Sequence, residues 1–556
     1  MVTFAIYENK YMKHIFWFFL LFMQVAVAQK LKKADKAILE SLKQHVNYLS
    51  DDKLEGRRTG SAGEKLAYEY IAGEFEKDGF LPMGENNGYL QSFEINDGKF
   101  INDNSHLIIN DHDLKLTDEY FPLAFSPNMS LTAIASIALR ENDNLWFFDI
   151  KDMLETNKNN PHYDLENAIK THAEAVAKKG ANSLIIYNSS SIEDDLKFES
   201  NYKIDPINIP VIYIKQAAKD KYLNDETATL DIKLKINIQE KKRTGHNVIG
   251  YIDNNAGQTI ILGAHYDHLG YGEDHNSLYT GKVPAIHNGA DDNASGTAAI
   301  IELGKMLKAS KYKNNNYLLI AFSGEELGLF GSKYFSEHPT TDLSKTNYMV
   351  NMDMVGRMKD STHGLNIGGY GTSPLWGEII SKNDKYFNLN LDSSGTGPSD
   401  HTSFYRKEIP VLFFFTGTHS DYHKPTDDAA KINFIGELQV LKYIYKVIEK
   451  TDKKGKLAFN KTREVQMSGK SSFKVTLGFM PDYTFSGAGV RVDGVSEGRT
   501  AQKAGIHAGD IITGLDNHHF SDVQGYMDAL NQYNKGDAAK VTVKRGANEM
   551  VFNIIF

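Results

Sequence analysis

Histidine and acidic side chains of the kind that bind metals occur at several points in the chain, first in residues 264–268 (AHYDH). If the backbone there is extended, His265 and Asp267 point to the same side. His265 could then bind a metal through one ring nitrogen while Asp267 accepts a hydrogen bond from the other, which fixes the orientation of the ring. Alone, this tripeptide is also typical of a solvated loop.

Two pairs of adjacent carboxylates follow. Residues 289–296 (GADDNASG) contain the first pair and precede a predicted helix at residues 297–308, so these acids are also typical of a helix N-terminus. Residues 323–328 (SGEELG) contain the second pair. Neighbouring carboxylates repel each other unless a cation or a shared proton relieves the repulsion. The two pairs therefore indicate a cation site.

The elements that must position these side chains are buried strands. Apolar runs rich in β-branched or aromatic residues predict them at residues 258–263, 316–322, 348–352 and 409–415. Each run is followed by polar residues: the His265 segment, the second acidic pair, Asp353, and residues 421–425 (DYHKP). Open α/β sheets carry their sites where strands end. The pattern predicts an α/β sheet with a metal site along one edge.

The motifs HxD, DDNASG, SGEELGLFGS, NMDMVG and YHKPTD, in that order, resemble the co-catalytic zinc exopeptidases of peptidase clan MH, the aminopeptidase and glutamate-carboxypeptidase family. The resemblance implies a mixed central sheet flanked by helices. It also implies two Zn²⁺ ions per chain, with His265 and Asp353 on one ion, Glu326 and His423 on the other, and Asp292 bridging both. Asp292 is chosen over Asp291 because the bridging acid of the family directly precedes the Asn. A cis peptide bond between Asp292 and Asn293 is implied as well.

The chemistry follows from these ligands. Zn²⁺ accepts imidazole and carboxylate at roughly 2.0–2.2 Å and keeps a position open for water in catalytic sites. Two ions about 3.5–4 Å apart can share a water, lower its pKa and polarise a scissile carbonyl. Glu325 suits the general base. Tyr422 resembles the residue that stabilises the oxyanion in some family members, although it could also be an aromatic ring that packs beside the metal.

Length and composition favour an exported protein of several domains. A chain of 556 residues exceeds one hydrophobic core, and a net charge of -9 with mixed signs argues against nucleic-acid binding. Residues 13–28 join a basic start, an apolar core and Ala-Val-Ala, which predicts a signal peptide at residues 1–28; an uncleaved anchor is the alternative. The chain has no cysteine, so packing and metal must stabilise it. This combination favours a bacterial periplasmic or secreted enzyme without a membrane span after cleavage.

The predicted peptidase domain is discontinuous, at residues 32–105 and 241–453. Its loop at residues 49–61 is expected near the substrate cleft, where Arg57 or Arg58 could reach a substrate carboxylate or simply be solvated. The β-rich residues 106–240, with a helix followed by a strand and an IPV strand, resemble a protease-associated insert. Such an insert is a binding module that contributes to lids and substrate access.

A polar linker precedes a second predicted module at residues 465–556. The run AGIHAGDII within it resembles a bacterial PDZ domain, a small β-rich fold. PDZ domains bind a peptide C-terminus at a sheet edge, here at residues 477–479. The alternative is that the module only packs on the catalytic domain.

The sequence therefore predicts an exported zinc aminopeptidase that acts on peptides. A glutaminyl cyclase of the same fold, which uses one metal, and a glutamate-carboxypeptidase-type exopeptidase remain alternatives. A non-catalytic, receptor-like relative is disfavoured because such relatives lose ligands that this chain retains.

Overall fold

The computed structural model describes residues 32–158, 163–200, 206–274, 276–462, 475–481, 485, 487–495, 499–521, 523–530 and 532–556. The predicted signal peptide at residues 1–28 lies outside these residues. Among the helices within the described ranges, none combines the length and apolar character needed to cross a membrane.

The helices in chain order are α1 (Lys33–Leu49), α2 (Ala62–Lys77), α3 (Lys151–Asn157), α4 (Leu165–Ala177), α5 (Gln216–Tyr222), α6 (Gly296–Lys308), α7 (Phe330–Glu337), α8 (Pro374–Ile379), α9 (His401–Tyr405), α10 (Phe434–Thr451), α11 (Thr500–Ala504) and α12 (Val523–Leu530). The strands in chain order are β1 (Leu81–Pro82), β2 (Leu90–Ile101), β3 (His106–Ile109), β4 (His112–Asp113), β5 (Tyr120–Pro122), β6 (Met129–Ser136), β7 (Asn144–Asp149), β8 (Ala181–Tyr187), β9 (Val211–Ile214), β10 (Thr229–Ile236), β11 (Ile238–Ile252), β12 (Thr259–His265), β13 (Asn316–Phe322), β14 (Thr346–Met352), β15 (Gly364–Gly368), β16 (Asn388–Leu391), β17 (Val411–Phe415), β18 (Phe479–Pro481), β19 (Val490–Val495), β20 (Ile511–Leu515), β21 (His518–His519), β22 (Ala538–Arg545) and β23 (Asn548–Ile555).

A nine-stranded mixed sheet carries the predicted metal ligands. Its order is β1-β11-β13-β12-β14-β17-β15-β16, with β2 also paired to β11. The strands β13, β12, β14 and β17 are parallel, whereas β11 and β15 run antiparallel to their neighbours in that group. The chain passes from β12 to β13 on one side of β12 and then crosses to β14 on the other side. The strand order therefore reverses at β12. Open α/β sheets bind ligands at such a reversal.

Side chains alternate between two cores along the parallel strands, because successive residues of a strand point to opposite faces. In β13, Tyr317 and Leu319 face the larger core beneath α1, α2, α6 and α10, and Leu318 and Ile320 face a smaller core with residues of α7 and α9. Both faces of the sheet are thus covered, which explains why these strands are uninterrupted apolar runs. The predicted α/β class is confirmed.

Residues 106–236 form two further sheets. One has the order β4-β3-β10-β6, and the other has the order β5-β9-β8-β7. Aliphatic residues from both sheets share one core, and α3 and α4 cover the outer face of the second sheet. The long antiparallel ribbon of β2 and β11 connects this part, here called the insert, to the nine-stranded sheet. Its assignment as a protease-associated domain stays a prediction.

The C-terminal part forms a six-stranded antiparallel sheet with the order β18-β19-β20-β22-β23, in which β21 pairs with β20. Its own hydrophobic core includes Leu477, Phe479 and Ala501. The backbone N–H of Ala501 donates to the carbonyl of Leu477, so α11 closes over the loop at residues 477–479.

Candidate metal centre

The carboxyl ends of the parallel strands bring the predicted ligands together. His265 is the last residue of β12, Asp353 directly follows β14, and the Glu325–Glu326 turn follows β13. His423 lies on the loop after β17, and Asp292 lies in the turn before α6. The five segments thus place their side chains at one edge of the nine-stranded sheet, four of them because they follow adjacent parallel strands.

His265 lies between two carboxylates at its outer nitrogen. Its Nε2 is 3.3 Å from Oδ1 of Asp292 and 3.4 Å from Oδ1 of Asp353. Its Nδ1 is 3.2 Å from the backbone carbonyl of Asp267. That contact directs the other nitrogen towards the carboxylates.

His423 approaches Asp292 from the other side. Its Nε2 is 3.4 Å from Oδ2 of Asp292 and 3.2 Å from Oε2 of Glu326. The two oxygens of Asp292 therefore face two different histidines. This arrangement fits a carboxylate that bridges two cations.

Asp267 differs from its prediction in one respect. Its carboxylate lies 3.6 Å from Nδ1 of His265, which is longer than a hydrogen bond. Instead it accepts hydrogen bonds from the Thr59 hydroxyl at 3.0 Å and from the backbone N–H groups of Glu325 and Glu326 at 3.2 and 3.4 Å. Because Asp267 is two residues from His265, its backbone carbonyl reaches the ring first and leaves the carboxylate to hold the Glu325–Glu326 turn.

The two acids of the first pair point in different directions. Asp291 accepts hydrogen bonds from the backbone of Gly356 at 2.7 Å and from the hydroxyl of Ser295 at 3.2 Å, and its other oxygen is 3.2 Å from Nε2 of His419. It is therefore occupied away from the two facing histidines, whereas Asp292 lies between them. The peptide bond between Asp292 and Asn293 is cis, which confirms that prediction.

Charge compensation at the centre is visible in the pKa values. Burial opposes ionisation of Asp292, but the His265 and His423 rings hold the pKa of this carboxyl well below its ordinary value. Burial also opposes a charge on His423, and the Glu326 and Asp292 carboxylates nevertheless raise the pKa of its ring to about 11. A proton and a metal cation compete for the same imidazole nitrogen. The site therefore favours a positive charge at the position where a metal would bind.

Glu325 and Tyr422 lie beside the ligands. Burial raises the pKa of Glu325 well above its ordinary value, with Asp353 and Glu326 adding to the effect and His265 opposing it. Oε2 of Glu325 is 3.9 Å from Nε2 of His265. The Tyr422 ring stacks on His423 with ring centroids 3.9 Å apart, and burial followed by the nearby carboxylates raises the pKa of its hydroxyl. Glu325 is thus poised to hold a proton, and Tyr422 keeps its own.

The expectation for Arg57 and Arg58 is wrong, because neither is free in a solvated loop. Arg57 is fully buried and its guanidinium donates to four backbone carbonyls, those of Leu49, Tyr266, Asn288 and Gly289. Burial lowers the pKa of Arg57 to about 10, against the opposing effect of nearby carboxylates such as Asp267. Arg57 therefore ties the backbones of two ligand-bearing loops together. Arg58 is engaged in ion pairs instead of reaching a substrate.

Those ion pairs fasten the ribbon to a loop near the centre. Arg58 donates from Nε and one terminal nitrogen to both oxygens of Asp274 at 2.8 Å, and Arg243 of β11 contacts the same carboxylate at 2.9 Å. Asp97 of β2 lies 3.2 Å from Arg58 and 2.8 Å from Arg243. The cluster is largely shielded from solvent, so its contacts are stronger than those of exposed pairs.

Sequence reasoning missed two residues at the centre. The Nδ1 of His268 is 2.6 Å from Oε1 of Glu326, which leaves Oε2 facing His423. The backbone carbonyl of Asn276 accepts a hydrogen bond from Nδ1 of His423 at 2.9 Å. The side-chain amide of Asn276 donates to the backbone carbonyl of Glu326 at 3.0 Å. The second histidine of AHYDH was a signal for His268, whereas nothing in the local sequence singles out Asn276.

The residues present fit divalent metals. Two groups of three side chains bring ligand atoms to within 4.8 Å of one another: His265, Glu325 and Asp353 in one group, and His268, Asp292 and Glu326 in the other. These groups differ from the predicted sets: Glu325 stands in the first group where Asp292 was expected, and His268 stands in the second where His423 was expected, so His423 belongs to neither group. Among the described residues, Oδ1 of Asp353 is buried without a hydrogen-bond partner, as expected of a ligand atom. Imidazole and carboxylate are donors that zinc prefers.

Residues 247–447 match Peptidase family M28. The chain contains a peptidase family M28 domain. Residues 461–555 match the PDZ domain family. The predicted resemblance is thus confirmed for the M28 domain and for the PDZ domain.

The M28 domain has curated and solved relatives. Aminopeptidase YwaD of Bacillus subtilis (strain 168) is 27% identical over 310 residues, which are 53% of this chain and 62% of the relative. The chain thus spans less than two thirds of that relative's length. The structure of BSAP, a zinc aminopeptidase from Bacillus subtilis, is 21% identical, with 76% of this chain and 95% of that chain covered and a TM-score of 0.42. A glutaminyl cyclase of Bacteroides thetaiotaomicron is 14% identical, with 74% and 97% covered and a TM-score of 0.39.

Proposed function

We propose that the protein is an exported zinc aminopeptidase that removes N-terminal residues from peptides. The observation that carries this proposal is the position of Asp292, whose two oxygens face His265 and His423 at 3.3 and 3.4 Å. A carboxylate shared in this way supports a pair of zinc ions. His265 and Asp353 would hold one ion and His423 and Glu326 the other.

When bound, two zinc ions lower the pKa of a water molecule and polarise the carbonyl of the scissile bond. The residues of the chain supply the proton transfers. Glu325 takes a proton from the attacking water and passes it to the leaving amine. The ring of Tyr422 stacks on His423, and its hydroxyl, which keeps its proton, would donate a hydrogen bond to the oxyanion of the substrate.

Other residues keep this geometry. Asp267 holds the Glu325–Glu326 turn through two backbone N–H groups. Arg57 binds the carbonyl of Tyr266, between His265 and Asp267, at 2.7 Å. Its buried cation also lies near Asp267, Asp292 and Glu326. The charge of Arg57 therefore offsets part of the repulsion among the ligand carboxylates.

The decisive experiment is a substrate panel on the zinc-loaded mature chain. We expect release of the N-terminal residue from aminoacyl anilides and peptides, loss of activity on chelation, and recovery at two zinc ions per chain. Cyclisation of N-terminal glutamine at one zinc ion per chain would instead identify a glutaminyl cyclase. Release of C-terminal residues would identify a carboxypeptidase of the glutamate-carboxypeptidase type. Binding without turnover would indicate a receptor-like protein.

The remaining domains take accessory roles in this proposal. The insert, whose predicted bounds are residues 106–240, acts as a protease-associated module that limits access to the substrate cleft. The peptidase segments are those predicted at residues 32–105 and 241–453. The PDZ domain, at residues 465–556, binds a peptide C-terminus at residues 477–479. Both roles are tested by comparing the cleavage of short and long peptides before and after removal of residues 465–556.

A further inference from the structure

We propose that residues 276–287, here called the latch segment, position His423 and Glu326, so that one of the two zinc positions depends on this segment and the other does not. The inference rests on the proposed two-zinc centre. It concerns residues that carry no predicted ligand and follow the HxD motif by at least nine positions.

The latch segment contacts both ligands of one position. The carbonyl of Asn276 accepts from Nδ1 of His423 at 2.9 Å, and the side chain of Asn276 donates to the backbone of Glu326 at 3.0 Å. The backbone N–H of Leu278 donates to the carbonyl of His423 at 2.9 Å. A hydrogen bond at Nδ1 fixes which nitrogen of a ligand histidine faces the metal. Asn276 therefore directs Nε2 of His423 towards Asp292 and Glu326.

His423 needs such support because of its backbone. Its φ of 55° lies in the left-handed region, which residues other than glycine seldom adopt. The loop after β17 would relax from this conformation unless its surroundings held it. The Leu278 and Asn276 contacts hold His423 at its carbonyl and at its ring. The two contacts come from residues two positions apart in the same segment.

A serine–histidine pair fixes the latch segment in turn. The Ser277 hydroxyl is 2.6 Å from Nε2 of His287, and Nδ1 of His287 is 2.9 Å from the carbonyl of Ala285. Since a carbonyl only accepts, Nδ1 carries the hydrogen and Nε2 accepts from Ser277. Burial lowers the pKa of His287, which is consistent with a neutral ring. Oγ of Ser277 also accepts from the backbone of Tyr279 at 3.0 Å.

The base of this arrangement is hydrogen-bonded and closely packed. The backbone N–H of His287 donates to the carbonyl of Gly270 at 2.9 Å, which closes the loop at its neck. Gly56 packs against that neck, where a Cβ would lie 2.6 Å from the His287 carbonyl and 2.7 Å from the Gly270 carbonyl. His287 is only 1% exposed. The Ser277–His287 pair therefore attaches the latch segment to the core of the domain.

The ligands of the other position have different supports. Nδ1 of His265 is held by the carbonyl of Asp267, and Asp353 directly follows β14. No hydrogen bond or ion pair in the described part of the chain joins the latch segment to either residue. Loss of the serine–histidine pair should therefore weaken one zinc position selectively.

The test measures zinc affinity by competition with a chromogenic chelator on the full mature chain. Ser277→Ala and His287→Ala should each lower the affinity for one zinc ion by about 10- to 100-fold, the range for residues that orient ligands. The affinity for the other zinc ion should stay nearly unchanged. Ser277→Thr keeps the hydroxyl and should retain both affinities. The matched control is His112→Ala, which removes an exposed histidine of β4 in the insert and should change neither zinc ion.

Several results would overturn the proposal. Unchanged zinc affinities in both Ser277→Ala and His287→Ala, or equal weakening of both ions, would show that the latch segment does not position one site. Should His287→Ala fail to fold by circular dichroism, Ser277→Ala, which removes one oxygen atom, decides alone. A wild-type chain that binds a single zinc ion contradicts the two-zinc function itself, whereas two zinc ions with unresponsive variants contradict only the latch.

Discussion

Parallel strands of the insert and parallel strands of the nine-stranded sheet both end in polar residues, but among the described residues only those of the nine-stranded sheet form a candidate metal centre. In the insert, β7, β8 and β9 are parallel, and Asp149 ends β7. Its carboxylate accepts from the backbone N–H groups of Lys151 and Ser189 and from the Ser189 hydroxyl. At the edge of the nine-stranded sheet, Asp292 and Asp353 face His265, and Oδ1 of Asp353 has no hydrogen-bond partner among the described residues.

The difference shows that a strand end alone does not make a site. Neutral donors of its own loops satisfy Asp149, so this carboxylate needs no cation. At the metal centre, carboxylates from separate loops converge on imidazoles and on one another, and buried charge of this kind requires compensation. Unsatisfied charge therefore distinguishes the metal centre from the corresponding edge in the insert.

The strongest test of this difference neutralises one carboxylate at the metal centre and one at the strand end of the insert. Glu325→Gln should lower kcat by about 10²- to 10⁴-fold because it removes the general base, while both zinc ions stay bound. Asp149→Asn, the matched change in the insert, should alter kcat/KM by no more than about twofold. Steady-state kinetics and metal analysis check both variants. Zinc loss from Glu325→Gln as large as the loss of activity would contradict its role.

A second comparison uses two arginines that donate to carbonyls. Arg57→Met leaves buried carbonyls without a donor and should destabilise the M28 domain by roughly 2–4 kcal/mol. The exposed Arg140 of the insert donates to the carbonyls of Ile137 and Leu139, so Arg140→Met should cost less than about 0.5 kcal/mol because water replaces the donor. Hydrogen exchange resolves the two domains. Equal protection loss in both variants would contradict the effect of burial.

The smallest expected effect concerns pH and the insert. Burial, with Glu199 and Asp164, raises the pKa of Glu166 to about 7, above an unfolded value of about 4.3. Folding therefore favours the protonated form, and the insert loses stability as pH rises from about 4.3 through 7. Glu166→Gln mimics the protonated form. It should stabilise the insert by roughly 1–3 kcal/mol at pH 8 and hardly at pH 4.

Thermal unfolding at the two pH values measures this effect. Glu302 of the M28 domain has a pKa shift in the opposite direction. Burial opposes its charge, but contacts with His45, Lys305 and Ser41 hold its pKa below the ordinary value. Glu302→Gln should therefore destabilise the M28 domain at neutral pH, and the loss should fade as the acid titrates below about pH 4. A stabilised Glu302→Gln variant would contradict this assignment.

Much of the fold could be predicted because its signals are local. The predicted strand at residues 316–322 agrees with β13, and the predicted helix at 297–308 differs from α6 by one residue. The predicted ligands converge because each lies directly at a strand end or in a short turn. Their role as ligands stays a prediction.

The supports of the centre could not be predicted because they depend on long-range packing. The local sequence predicts that Arg57 lies in a loop. Only in the folded chain is Arg57 buried among backbone carbonyls of residues far apart in the sequence, such as Leu49 and Gly289. Asn276 acts partly through its backbone carbonyl, which any residue type provides. The preference of Asp267 for backbone N–H groups depends on where the turn after β13 passes.

The ribbon of β2 and β11 has a mechanical consequence. Asp97 and Arg243 project from its two strands, and both contact Arg58, directly or through Asp274, at the loop that leads into the latch segment. The insert therefore cannot pivot about the base of the ribbon without first parting these guanidinium and carboxylate groups. A force applied to the far end of the insert would therefore be transmitted through these side chains to the loop that carries Asp274.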